Sequence, residues 1–86
     1  MQNNNDVGIG KFYTFYGKKY KCVGFRSTKE RAEMVKSRLE RIGTIKIHIV
    51  KHQYTVIGLL TNYSIWARPE KVLSWEKLDK VIERLF

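Results

Sequence analysis

Apolar residues along this chain recur with two different periods, and the switches between them delimit the elements. From Ile45 to Ile49 every second residue is isoleucine, with Lys46 and His48 between them. Side chains alternate across an extended strand, so this stretch is a strand with one buried and one solvated face. "YTVIGLLT", Tyr54–Thr61, is β-branched and apolar and predicts its partner, with Lys51-His52-Gln53 as the loop. That loop would set Ile45 opposite Leu59 and Ile47 opposite Ile57. The other face would carry Lys46, His48, Val50, Tyr54 and Val56. A first hairpin is predicted upstream: Phe12–Tyr16, a turn at Gly17-Lys18, then Lys19–Phe25. Glycine followed by any residue suits a two-residue type II′ turn, whose first position needs positive φ. In this pairing Tyr13, Phe15, Tyr20 and Cys22 share one face, and Phe12, Thr14, Tyr16, Lys19, Lys21 and Val23 share the other. The first set is the better core, which sends the second set to solvent.

Between the hairpins the period lengthens to that of a helix. Ala32, Val35, Leu39 and Ile42 recur at steps of 3, 4 and 3, which makes one apolar stripe. Ser27 and Glu30 have the S-x-x-E spacing of a capping box, in which each side chain takes a backbone N–H left open at the helix start. Gly43 follows the stripe as a left-handed C-terminal stop. A second helix is predicted behind Ser74 as its cap, with Trp75, Leu78, Ile82 and Leu85 at the same steps. Pro69, read as a first-turn proline, would start it earlier. "NYSIWARPEK", Asn62–Lys71, reads as the preceding loop, with Trp66 as a lid over a small core and Trp75 inside it.

The element order is therefore β-β-α-β-β-α. With both stripes on one side, the expected fold is α+β: one small domain over residues 11–86, a mainly antiparallel four-stranded sheet, two helices on one face and the other face open. Residues 1–10, Asn-rich and ending in a glycine pair, are expected to form a flexible arm. A chain of 86 residues buries about 60–65% of its unfolded surface, enough for one core. Apolar residues at 43% and aromatics at 13% fit a folded globule rather than a disordered tail. No stretch approaches the ~20 apolar residues of a membrane span, and "MQNNNDVGIG" has no basic start or apolar core of a secretory signal. Cys22, the sole cysteine, leaves no internal disulfide, fits a reducing cytoplasm and reads as a small buried hydrophobe.

Charge changes the picture most. Seventeen lysines and arginines against eight acids give a net charge of +9, and a small domain of this kind usually has a polyanionic partner. Residues 11–26 hold five basic groups and no acid. The predicted strands carry no carboxylate, whereas the helices are nearly balanced. Lys18, Lys19, Lys21, Arg26, Lys46 and Lys51 are the expected phosphate contacts, since each neutralised phosphate releases counterions. Tyr16 and Tyr54 would stack on bases or pack on sugar. Arg31, Arg38 and Arg41 fall on one flank of the first helix beside Met34, an alternative basic row able to hold phosphate oxygens in pairs.

Other chemistries lack their parts. His48 and His52 are four apart, a ligand spacing for a helix but not for a strand, and nothing completes a metal site. No acid falls on a predicted strand, no Ser/His/Asp constellation can be assembled, and "GIGK" lacks P-loop spacing. No cofactor, small-molecule substrate or enzymatic activity is expected. "YGKKYKCVGFRSTKERAEMVKSRL" resembles the hairpin-then-helix start of the arm-binding domains of tyrosine recombinases, which implies duplex-DNA contact through a three-stranded sheet, although the element order differs. "YKCVGFRSTKERAEMVKSRLERIGTIKIHIV" with "YTVIGL" is similar in rhythm to sporulation-related peptidoglycan-binding repeats, which implies an envelope role. Each spans part of the chain through undistinctive motifs, and neither family is adopted. The expectation is a small cytoplasmic DNA- or RNA-binding protein, largely backbone-directed, with an accessory, architectural or regulatory role. The alternative is an interaction module whose basic face meets an acidic protein, of the kind used by viruses and mobile elements. The apolar end at Leu85-Phe86 offers a contact for a homodimer.

Overall fold

The computed structural model describes residues 8–55, 59–70 and 73–85, with Tyr54, Thr55 and Leu59 described by backbone alone. The elements follow in the expected order: β1 (Phe12–Phe15), β2 (Lys18–Arg26), α1 (Lys29–Glu40), β3 (Ile45–Thr55), β4 (Leu59–Pro69) and α2 (Trp75–Leu85). They make an α+β domain with a four-stranded sheet in the order β1-β2-β4-β3, antiparallel at every ladder. Each hairpin pairs locally, and the β2–β4 ladder joins the two hairpins. Hydrogen bonds between Gly10 N and Cys22 O and between Cys22 N and Lys11 O, both 2.8 Å, carry the first ladder back past the start of β1.

Both helices sit on one side of the sheet. Ala32 and Leu39 of α1 and Leu78 of α2 share one buried cluster with Val23, Ile45, Ile47, Ile65 and Ala67. Leu39, Ile65 and Leu78 are fully enclosed, and each such side chain contributes about 1.5–3 kcal/mol relative to exposure. The isoleucines of β3 therefore face the helices as their alternation predicted. Ile42, expected on the stripe of α1, lies past its end and is 45% exposed. Gly43 does stop the helix, with φ +88°. The cap at its start is Thr28 rather than Ser27: Thr28 is extended, and its hydroxyl accepts from Arg31 N at 3.2 Å. Ser74 caps α2 as expected, its hydroxyl accepting from Lys77 N at 3.3 Å.

The hairpin turns differ from expectation. Phe15 pairs with Lys18, so the first turn is Tyr16-Gly17, with φ +54° and +77°. Two positive φ values in a two-residue loop define a type I′ turn, whose twist matches that of the flanking strands. The register moves by two residues, which preserves the two face sets. In the second hairpin β3 continues through Lys51-His52-Gln53, and Thr55 pairs with Leu59. Ile45 lies opposite Pro69 and Ile47 opposite Ala67, not opposite Leu59 and Ile57. The stretch Asn62–Pro69, expected as a loop, is strand. Tyr63, Ile65 and Ala67 alternate with Ser64, Trp66 and Arg68, so β4 has a helix-facing set and an opposite set. Partnership with strands on both sides overrides the loop-like Asn and Ser.

Strand β3 is an edge of the sheet, and α1 guards it. The Ile47 N–H, which points away from β4, donates to Glu40 Oε2 at 3.1 Å. An edge N–H capped by a carboxylate is closed to pairing with another chain. Glu40→Ala should lower the unfolding free energy by about 1 kcal/mol, and Glu40→Gln by less, because the amide still supplies an acceptor. Denaturant titration of the two variants measures the difference.

Candidate nucleic-acid interface

The side of the sheet without helices is not an open platform. A bulge after Cys22 sets Gly24 opposite Ile65 while Cys22 stays opposite Trp66. The extra residue reverses the alternation, so Cys22 and Phe25 share this side although they are three apart. Here Tyr20, Cys22 and Trp66 are buried, with Phe15, Phe25 and Val50 packed around them. Phe15 of β1 reaches across β2 and β4 to His48 of β3, centroid to centroid 4.3 Å, and meets Trp66 at 5.4 Å and Tyr20 at 5.5 Å. Edge strands can touch in this way only if the sheet curls. The curl converts the helix-free side into a second, aromatic core.

Ser64 makes that core tolerable for polar atoms. It is wholly buried, and its hydroxyl accepts from Trp66 Nε1 at 2.8 Å. His52 Nε2 lies 2.7 Å from the same oxygen, closer than Val50 O at 3.5 Å. The hydroxyl donates to Val50 O, and the direction of its contact with His52 follows the imidazole tautomer. Burial holds the His52 imidazole below its usual value of 6.5. His48 is lowered as well, by burial first and then by the Lys36 ammonium. Burial pushes the Cys22 thiol upward.

The residues expected to contact phosphate divide between two sides. Lys18 and Lys46 are exposed on the helix-free side, Lys18 opposite Phe15 and Lys46 opposite Arg68. Tyr16, at the tip of the first turn, is 89% exposed, with its ring 5.7 Å from that of His48. Tyr54 lies in β3 opposite Leu60, and its side chain is outside the described residues.

The others are elsewhere. Lys19 and Lys21 belong to the helix side, a correction to the expected face of the first hairpin. Lys19 Nζ stands 4.3 Å over the Phe12 ring, and Lys21 Nζ is bound to Asp79 of α2 at 2.8 Å. Phe12 in turn meets Trp75 edge-on at 5.3 Å. The hairpin is thus turned over relative to expectation, because Phe12 and Lys21 find their partners on α2. Lys51 is also on the helix side, near Lys29, Glu33 and Tyr63. Arg26 donates from Nη1 to Phe25 O at 2.7 Å and gathers with Arg31 and Arg38 of α1. Arg41 lies in the neighbouring groove with Arg38.

The helix-free rim thus holds Tyr16, Lys18 and Lys46 from the expected set. It adds Tyr13, which is 56% exposed, and His48, which is half-buried. Arg68 is there too, joined to Glu70 at 3.1 Å. Sequence reasoning missed Tyr13 by assigning it to the core under the helices, and Arg68 by assigning it to a loop. The alternation in "YSIWAR" was the available signal for Arg68. All four strands together carry Lys18, Lys19, Lys21, Arg26, Lys46, Lys51 and Arg68 and no acid. No family model, no curated protein and no solved structure matches this chain.

Both histidines bind protons less well in the folded chain than in the unfolded one. Where the unfolded state binds more protons, stability rises with pH. The contribution is fully present above about pH 6.5 and is lost as pH falls through the lowered values. The melting temperature should therefore drop between pH 7 and pH 5 at constant salt, and His48→Gln/His52→Gln should flatten that slope, as read by calorimetry.

Proposed function

We propose that this protein binds nucleic acid, DNA or RNA, along the rim of its helix-free side, holding the backbone with lysines and stacking exposed rings on unpaired bases. The observation that carries the reading is Tyr16. A bulky residue with left-handed backbone costs about 1–2 kcal/mol, and Asn or Gly is the ordinary occupant of the first position in a type I′ turn. The fold gains little from a ring that is 89% exposed. Strain of this kind collects at functional positions. Tyr16 and Tyr13 present ring surface beside Lys18, and Lys46 lies on the same side across the curl. A ring over a base contributes roughly 1–3 kcal/mol, and among the described residues the strands carry no carboxylate to repel phosphate, while the nearby Glu70 is held by Arg68.

The role is one of binding, accessory or architectural, without catalysis. Among the described residues no helix is long and apolar enough to cross a membrane. A sole cysteine kept as a buried thiol supports a reducing, cytoplasmic setting.

Fluorescence anisotropy with a short mixed-sequence single strand tests the reading. Binding should be measurable at ~50 mM salt and weaken with salt at a log–log slope of about −0.7 per phosphate contact. Absence of binding at that salt removes the proposal. Tyr16→Asn should raise folding stability by about 0.5–1 kcal/mol while weakening strand binding by about fivefold or more. Unchanged affinity in that variant would move the site away from this rim. Lys18→Glu/Lys46→Glu should leave the fold intact and lower both the affinity and the steepness of the salt dependence.

A further inference from the structure

On the opposite side of the sheet, a pocket of about 280 Å³ opens where the end of β2 meets α1. Its polar wall is Arg26 from β2 with Arg31 and Arg38 from α1. Its apolar wall includes Met34, Val35 and Leu85, the last from α2. Arg31 and Arg38 are two turns apart on one helix face, and Arg26 enters from a different element, so three guanidinium groups border a single space. Among the described residues none of the lining is acidic, and neither Arg31 nor Arg38 takes part in the ion pairs of those residues, which join Lys21 to Asp79 and Arg68 to Glu70. Arg26 is held in place by its bond to Phe25 O.

We propose that this pocket binds a terminal phosphate, the monoester of a nucleotide-sized ligand, with the phosphoryl oxygens on the arginines and the organic part against Met34, Val35 and Leu85. Charge selects the monoester. A terminal phosphate carries about −1.5 to −2 at neutral pH and offers three acceptor oxygens, whereas a bridging diester carries a single charge. Guanidinium groups bind such oxygens in planar pairs. Size limits the ligand: about 280 Å³ falls just below the usual range of small-molecule pockets, about 300–1,000 Å³, which favours one nucleotide over a run of chain. The site does not rest on the stacking rim. It lies on the other side of the sheet and shares no residue with that surface.

The test is a titration of the full chain, followed by amide chemical shifts, with a nucleoside monophosphate and with the matching nucleoside. The monophosphate should bind at least about tenfold more tightly and perturb Arg31, Val35 and Leu39. Arg31→Gln/Arg38→Gln, both exposed positions, should abolish the difference between the two ligands. Arg31→Lys/Arg38→Lys should restore it in part, because charge returns without the fork. Arg41→Gln and Tyr16→Asn should behave as the parent chain does. Equal binding of nucleoside and nucleotide overturns the proposal, as does a preference that survives loss of both arginines. A 5′-phosphorylated oligonucleotide compared with its 5′-hydroxyl counterpart, in the Tyr16→Asn background, then separates the sources. A preference for the phosphorylated strand assigns the ligand to strand ends, and a preference confined to the mononucleotide assigns it to the free pool; either supports the pocket.

Discussion

Phe15 belongs to one edge strand and His48 to the other, with two strands between them, yet their rings lie 4.3 Å apart. That contact requires the sheet to roll up on its helix-free side, and most features of the molecule follow from the roll. An antiparallel sheet with helices on one face ordinarily leaves the other face to water. Here the second face is too aromatic for that arrangement: Tyr13, Phe15, Tyr20, Phe25 and Trp66 all project there. Among the described residues no further layer covers them, and the sheet curls over them itself. Ser64 removes the main obstacle by giving the buried Trp66 N–H an acceptor, which an apolar residue at that position would not supply.

Two cores in so short a chain leave little room for charge inside, so the basic groups lie on the rims and outer faces. They do not converge on one side. Lys21 joins α2 through Asp79, and Lys19 lies over Phe12, so part of the strand charge serves to hold the first hairpin against the second helix. A partly buried ion pair with a ring beside it fixes orientation more than it adds stability. Lys51 stands beside Glu33 of α1, and the other strand bases join a ring-and-lysine rim on one side or an arginine pocket on the other. The two surfaces differ in chemistry as well as place. Lysine acts as a point charge along a backbone, while paired guanidinium groups suit a compact phosphate with several oxygens.

The same economy shows in how the edges are closed. Strand β1 is only four residues long, and β3 has an outward N–H occupied by Glu40. A long edge strand rich in isoleucine would otherwise invite pairing between chains. Tyr16 is the exception to this local consistency. Its backbone is strained at a position where other residues would be at ease, and sites that break a local rule without structural return are where function is expected.

The chain alone determined the order of elements, the existence of α1 and its end before Gly43, the cap at Ser74, the helix-facing isoleucines of β3 and the absence of acids from the strands. Each of these is a local property: a period, a spacing or a residue type suited to one backbone conformation. Tertiary structure decided the rest. Alternation sorted the first hairpin into two faces, but only contact with Trp75 and Asp79 chose which face meets the helices. The strand character of Asn62–Pro69 came from having β2 on one side and β3 on the other, and the true hairpin register came from that same pairing. The grouping of Arg26 with Arg31 and Arg38 arose because a bulge after Cys22 reversed the alternation of β2. Such outcomes depend on residues far apart in sequence, and no local window contains them.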